Sequence, residues 1–134
     1  MIGAEGAGKV VLVVDDEDDI RESVAELIRS KIAGCRVLTA KSGEEGLAIL
    51  SKEPARVIVA DYKMPGIDGI EFLKRSRLIV PHAARLMMSA YAETSLAIEA
   101  LKEADVALLV TKPFQLDYFV QLIGTMLKRS RSGS

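Results

Sequence analysis

Apolar and polar residues alternate along the chain in blocks that predict strands and helices in turn. Five short runs, rich in β-branched and other apolar residues, predict five strands. The first run is continuously apolar, which is typical of a strand buried on both faces. The runs are VVLVV (10–14), RVLTA (36–40), RVIVAD (56–61), ARLMMSA (84–90) and VALLVT (106–111).

Apolar residues at spacings of three and four predict a helix after each strand, and Gly34 is expected just past the end of the first. The second helix starts within GEEGLAIL (43–50) and stops before Pro54. The apolar positions of the others are Ile20, Val24, Leu27, Ile28 and Ile32 in the first, Ile70 and Leu73 in the third, Ala97, Ile98 and Leu101 in the fourth, and Leu116, Phe119, Val120, Ile123 and Leu127 in the fifth. Five β-then-α units imply right-handed crossovers and an α/β doubly wound domain with a parallel sheet.

The overall composition is that of one soluble domain. The chain has 134 residues, 49% hydrophobic and 28% charged, with a net charge of −1. This balance gives no reason to expect a nucleic-acid or membrane partner. No apolar run approaches the roughly 20 residues of a membrane span, and no signal peptide is evident, so the cytoplasm is the expected location. The single cysteine, Cys35, cannot form an internal disulfide and is expected to be a small, buried or half-buried residue rather than a reactive one.

The ends of the chain differ from its middle. Residues 1–8 are small and Gly-rich, which predicts a flexible N-terminus. Residues 130–134 have the composition of a tail or linker. The folded domain is therefore expected over residues 9–129.

Chemically active side chains follow four of the predicted strands. In the stretch KVVLVVDDEDD the first strand ends at Asp15 and Asp16, and the third ends at Asp61. The fourth ends at Ser89, and Lys112 follows the fifth. In an open parallel sheet ligands bind outside the carboxyl ends of the strands, so we expect these five side chains to converge.

Three carboxylates in one crevice need a counter-charge. Mg²⁺ suits them, because it prefers oxygen ligands and keeps several waters for other groups. With a lysine and a hydroxyl opposite, such a site could hold a phosphoryl group that one carboxylate attacks.

Each residue also has an ordinary structural interpretation. Asp15 and Asp16 could be helix caps or solvated turn residues, and Asp18 and Asp19 are expected to be N-caps. Asp61, a carboxylate at the end of a strand, could cap a turn, and Ser89 could be a turn residue. Lys112 could be solvated.

The sequence resembles the receiver domain of two-component response regulators, including chemotaxis-type regulators. The resemblance runs from about Lys9 to Lys128 and rests on LVVDDE (12–17), VIVADYKMPGIDG (57–69), MMSAY (87–91) and TKPF (111–114). It implies a flavodoxin-like fold with five helices and a five-stranded parallel sheet in the order 2-1-3-4-5.

The resemblance also implies roles for the acidic residues. Asp61 would be the phosphorylated residue. Asp16 would bind Mg²⁺ directly and Asp15 mostly through water, with Asp61 and the backbone carbonyl of Lys63 completing the protein ligands. Mn²⁺ could replace Mg²⁺.

Three further residues receive roles from the same family pattern. Ser89 would be the switch hydroxyl that moves to the phosphoryl oxygen, and Lys112 would pair with the phosphorylated group. The Lys112–Pro113 bond would be cis.

The stretch MPGIDG (64–69) has a physical interpretation of its own. Pro65 and Gly66 predict a tight turn just after Asp61. Asp68 is expected to cap the third helix. Gly69 allows close packing or an unusual backbone angle.

Two departures from the family pattern matter. The aromatic residue usual three positions before the lysine is replaced by Leu109, or by Leu108 if the strand is bulged, which puts switching by ring rotation in doubt. Lys63 and Tyr91 occupy the places that tune the access of water to the acyl phosphate, and their bulk predicts slow loss of phosphate.

The favoured function is a signalling switch that takes a phosphoryl group from a sensor histidine kinase or a phosphotransfer domain, rather than a turnover enzyme. The resemblance implies that an output domain or a target protein binds the face formed by helix 4, strand 5 and helix 5. Formation of a homodimer on activation is left as an open alternative. Two alternatives remain at this point: a receiver-fold interaction scaffold without phosphorylation, and a small aspartate-nucleophile phosphatase using Asp16-x-Asp18. The sequence names neither the partner kinase nor the response.

Overall fold

The computed structural model describes residues 9–89, 102–106, 108–111 and 116–132. Strands and helices alternate through these ranges. The elements are β1 (Val10–Val14), α1 (Asp18–Lys31), β2 (Arg36–Ala40), α2 (Gly43–Lys52), β3 (Val57–Asp61), α3 (Gly69–Ile79), β4 (Ala84–Ser89), α4 (described at residues 102–104), β5 (Leu108–Thr111) and α5 (Leu116–Ser132).

The five strands form one parallel sheet in the order β2-β1-β3-β4-β5. This confirms the predicted fold and strand order. Val14 at the end of β1 pairs with Ala40 on one side and with Ala60 on the other. The carboxyl ends of the central strands therefore lie level at one edge of the sheet.

Helices cover both faces of the sheet. On one face α1 and α5 bury Val24, Ile28, Phe119 and Ile123, and on the other α2 and α3 bury Leu50, Phe72 and Leu73. Every residue of β1 is buried, and alternate residues join opposite cores. This explains the continuous apolar run, since each fully buried Val or Leu contributes about 1.5–3 kcal/mol.

The ends of the helices agree only in part with the predictions. Asp68 caps α3 as expected, its Oδ1 accepting a hydrogen bond of 2.9 Å from the amide of Glu71. The expectation that Asp18 and Asp19 are N-caps is wrong, because the cap position of α1 is Glu17 and its side chain makes no capping bond. Asp18 and Asp19 lie in the first helical turn instead, where their negative charges favour the helix dipole.

The last helix extends beyond the predicted end of the domain at residue 129. Since α5 reaches Ser132, residues 130–132 of the expected tail are helical. The apolar positions predicted for the fourth helix, Ala97, Ile98 and Leu101, lie outside the described residues. None of the helices in the described ranges combines the length and the apolar character needed to cross a bilayer.

Candidate functional site

Three carboxylates meet at the carboxyl edge of the central strands. Asp15, Asp16 and Asp61 each place one oxygen so that all three oxygens lie within 4.8 Å of one another. Asp15 is 0% exposed and Asp61 is 5% exposed, whereas Asp16 is exposed to solvent. The cluster is therefore a half-open acidic pocket, as the sequence predicted.

The sheet itself brings these residues together. Val14 of β1 pairs with Ala60 of β3. The next residues, Asp15 and Asp61, therefore lie side by side at the same edge of the sheet. The amide of Asp15 donates to the carbonyl of Ala40 over 3.1 Å, which extends the pairing with β2 by one residue. Asp15 Oδ1 in turn accepts a 2.9 Å hydrogen bond from the amide of Glu17, which shapes the turn into α1.

The donor set of this pocket fits Mg²⁺. Oxygen ligands at about 2.1 Å from an octahedral ion lie no more than about 4.2 Å apart. The three carboxylate oxygens lie within 4.8 Å of one another. Adjacent octahedral ligands are about 3 Å apart, so side-chain shifts that shorten these distances by at most about 2 Å would bring all three oxygens to one ion. Two of the three carboxylates are buried, and a buried negative charge is stable only when it is compensated.

The loop after β3 approaches the pocket through a turn that requires glycine. Gly66 has a φ of +79°, a left-handed conformation that glycine adopts without strain. The amide of Gly69 donates to the carbonyl of Tyr62 over 2.7 Å. A Cβ on Gly69 would lie only 2.2 Å from the carbonyl oxygen of Asp61. Of the two explanations predicted for Gly69, close packing is therefore the correct one.

The same loop is tied to α2. Glu44 Oε2 accepts a hydrogen bond of 3.2 Å from the amide of Ile67. Lys63 and Pro65 are solvent-exposed residues of this loop. The hydrogen bond from Ile67 to Glu44 therefore restrains the loop in which Lys63 lies.

Ser89 lies beside the acidic cluster. Asp61 pairs with Met88, so Ser89 is one position further along the edge, and it is buried. Ser89 also pairs with Thr111 of β5. Lys112, which follows Thr111, lies outside the described residues, as do Pro113 and Tyr91.

The backbone pairing of β5 shows whether this strand is bulged, which decides between Leu108 and Leu109. Leu108 to Thr111 pair with Leu86 to Ser89 in unbroken register, so the strand carries no bulge there. The residue three positions before Lys112 is therefore Leu109. An aliphatic residue occupies the place where an aromatic one is usual in the family.

Sequence reasoning missed one residue next to the pocket. Arg21 in the first turns of α1 is only 5% exposed, and its Nη1 donates to the backbone carbonyl of Asp15 over 3.0 Å. A pattern in the sequence could have revealed it, because Arg21 falls on the same helical stripe as Val24 and Ile28. A charged residue on an apolar stripe needs partners in the fold.

Asp18 is not part of the metal cluster. Its Oδ1 accepts a 2.6 Å charged hydrogen bond from Arg21 Nη2. This hydrogen bond, the largest contribution, and the charge of Arg21 hold the pKa of Asp18 below its ordinary value. The Asp16-x-Asp18 pattern thus does not present two carboxylates to one site, which weakens the phosphatase alternative.

Comparison with known proteins identifies the family. Residues 11–124 match the family model described as the response regulator receiver domain. Sporulation initiation phosphotransferase F of Bacillus subtilis is 35% identical over 107 residues, which cover 80% of this chain and 84% of that protein. The solved receiver domain of the Francisella response regulator 1452 is 31% identical with a TM-score of 0.80, covering 91% of this chain and 98% of that one.

A longer relative shows the same domain as part of a regulator. The hydrogenase transcriptional regulatory protein HoxA of Cupriavidus necator is 34% identical over 113 residues, which cover 84% of this chain but only 23% of HoxA. The chain belongs to the response regulator receiver domain family of two-component signalling. Members of this family are typically phospho-acceptors rather than turnover enzymes.

Proposed function

We propose that this protein is a phosphorylation-activated switch whose acceptor is Asp61. The observation that carries the proposal is the position of the Asp61 carboxylate, 5% exposed and within 4.8 Å of those of Asp15 and Asp16. Three negative groups this close call for a divalent cation, and Asp61 is the last residue of the central strand β3, at the edge of the sheet where ligands of this fold type bind.

Four groups of the pocket would bind the cation. Asp15, Asp16, Asp61 and the carbonyl of Lys63 would hold Mg²⁺, or Mn²⁺ in its place. The bound ion supplies positive charge to the oxygens of the incoming phosphoryl group.

The transfer itself is an in-line displacement. One oxygen of Asp61 forms a bond to phosphorus as the bond from phosphorus to the donor's imidazole nitrogen breaks, and the imidazole retains that electron pair and takes up a proton. The donor is a phosphohistidine on a sensor kinase or on a phosphotransfer domain, in the cytoplasm. The membership of the chain in the receiver family supports this class of donor.

Two side chains then respond to the new negative charge. Ser89, buried one position beyond the pairing partner of Asp61, donates its hydroxyl to a phosphoryl oxygen, and Lys112 pairs with another. Their movement shifts a pre-existing equilibrium at the face formed by α4, β5 and α5, where an output domain, a target protein or a second copy binds. Because Leu109 replaces the usual aromatic residue, this shift proceeds without ring rotation.

The phosphoryl group should be lost slowly. Lys63 and Tyr91 stand where water reaches the acyl phosphate in the family, and both are bulky. Faster loss of phosphate in the Lys63→Ala/Tyr91→Ala variant would support this idea, and an unchanged phospho-lifetime would contradict it.

Intact-mass measurement tests the main proposal. Incubation with acetyl phosphate and Mg²⁺ should add the mass of one phosphoryl group to the wild-type protein and none to Asp61→Asn. No addition to the wild type, with or without Mg²⁺, would favour the scaffold alternative. Repeated release of phosphate from a phosphomonoester, abolished by Asp16→Asn, would favour the phosphatase.

A further inference from the structure

Arg21 is a buried cation held in place by three acceptors. Its side chain is 6% exposed. Nη1 donates to the carbonyl of Asp15 over 3.0 Å, Nη2 to Asp18 over 2.6 Å, and Nε to Glu22 over 3.3 Å. A guanidinium group presents its donors in a fixed, planar fork, so these three bonds set its orientation.

The carbonyl that Arg21 binds belongs to the peptide that joins Asp15 to Asp16. The orientation of this peptide determines the directions in which both side chains leave the backbone. Two further bonds shape this turn: the amide of Asp15 donates to the carbonyl of Ala40, and the Asp15 carboxylate accepts from the amide of Glu17. The bond from Arg21 acts on the carbonyl of the peptide itself, and it therefore helps to orient Asp16, the exposed member of the cluster, relative to Asp15.

The charge of Arg21 is balanced on its outer side. Asp18 and Glu22 both pair with the guanidinium group and both extend into solvent. They offset the repulsion that a buried cation would otherwise exert on a divalent ion bound nearby. What Arg21 contributes to the pocket is thus mainly a directed hydrogen bond.

We propose that Arg21 is a positioning residue of the cation site, which sets the Asp15–Asp16 peptide so that both carboxylates face one ion. The inference rests on the proposed function, since it assumes that this pocket binds Mg²⁺. Groups that orient metal ligands typically change metal affinity 10- to 100-fold when they are removed. Arg21 would act on the site through Asp15 and Asp16 without touching the ion.

The test compares Arg21 with a second buried arginine. Arg85 is 2% exposed and also donates to backbone carbonyls, those of Val80 and Pro81, while pairing with Asp105. It lies near the amino end of β4, at the edge of the sheet opposite the pocket. Arg21→Met and Arg85→Met thus remove similar interactions from the two edges of one sheet.

The measurement is Mg²⁺ affinity by calorimetric titration, with urea unfolding as the measure of stability. We expect Arg21→Met to weaken Mg²⁺ binding about tenfold or more. Arg21→Lys, which keeps the positive charge and a cationic N–H donor group but not the planar fork, should recover part of that loss. Arg85→Met should lose stability but bind Mg²⁺ as the wild type does.

The other outcomes would overturn either the role of Arg21 or the cation site itself. Unchanged affinity in Arg21→Met, or an equal loss in Arg85→Met, would overturn the inference. If Arg21→Met does not fold, Arg21→Lys decides, since wild-type affinity in that variant together with normal stability would also overturn it. Failure of the wild type to bind Mg²⁺ would instead overturn the cation site of the proposed function.

Discussion

Replacing Gly69 with alanine places one methyl group against the backbone of the proposed phosphate acceptor. The added Cβ would lie 2.2 Å from the carbonyl oxygen of Asp61 and 2.9 Å from the Cα of Tyr62. Non-bonded carbon and oxygen atoms normally stay about 3.3 Å apart or more. The start of α3 and the end of β3 would therefore have to separate by about 1 Å.

The expected loss of stability in Gly69→Ala depends on which of the neighbouring atoms can move. Extra carbon atoms in a packed interior cost about 1–3 kcal/mol, and the upper end applies because the opposing atoms at Asp61 are backbone and cannot rotate away. Alanine restricts the unfolded chain more than glycine does, and this effect alone stabilises the folded protein by about 0.4–1 kcal/mol. The net result for Gly69→Ala is a loss of about 2 kcal/mol of unfolding free energy.

Gly124→Ala is the matched control. Gly124 lies within α5, and the nearest atom to an added Cβ is Ile32 Cδ1 at 4.0 Å. Here alanine meets no obstacle and should stabilise the helix by up to about 1 kcal/mol. Urea unfolding followed by circular dichroism gives both values. A Gly69→Ala variant that unfolds at the wild-type midpoint, or that shifts in the same direction as Gly124→Ala, would refute the argument from close approach.

Three further predictions concern single side chains. Glu44→Ala removes the acceptor of the Ile67 amide; amide hydrogen exchange in the loop after β3 should accelerate, and unchanged protection would contradict the restraint. Arg75 Nε donates to Glu71 and holds the pKa of that carboxyl below its ordinary value. This contribution to stability is present above the unfolded-state pKa of Glu71 and is lost as pH falls through the folded-state pKa. In an NMR titration Arg75→Met should raise the Glu71 pKa toward that of a free glutamate, and an unshifted titration would count against the pair. Burial raises the pKa of the Cys35 thiol, so alkylation at pH 8 should be slower in the native protein than in urea, and equal rates would contradict its burial.

Much of the fold could be predicted because the apolar pattern follows the physics of burial. The continuous run at 10–14 became a strand buried on both faces, and the bounds of β1 and β2 agree with the predicted runs. Asp15, Asp16 and Asp61 could be expected to meet, since each lies at the carboxyl end of a strand in a parallel sheet. The cluster they form confirms that expectation.

What the sequence did not reveal depends on contacts across the fold. Arg21 is covalently part of α1, but its partner is a backbone carbonyl six residues earlier, which no side-chain pattern encodes. The same arginine engages Asp18, which lies in the first turn of α1 and not at its cap. The alternatives for Gly69 could be decided only when the distance to Asp61 was known.

Chemical trapping of the phosphorylated residue tests the central claim most directly. Borohydride reduces an acyl phosphate on aspartate to the alcohol, which marks the acceptor for peptide mass spectrometry. After treatment with acetyl phosphate and Mg²⁺, followed by borohydride, the account predicts the reduced residue at Asp61. Reduction at Asp15 or Asp16 instead, or the same yield when Mg²⁺ is removed by chelation, would contradict it.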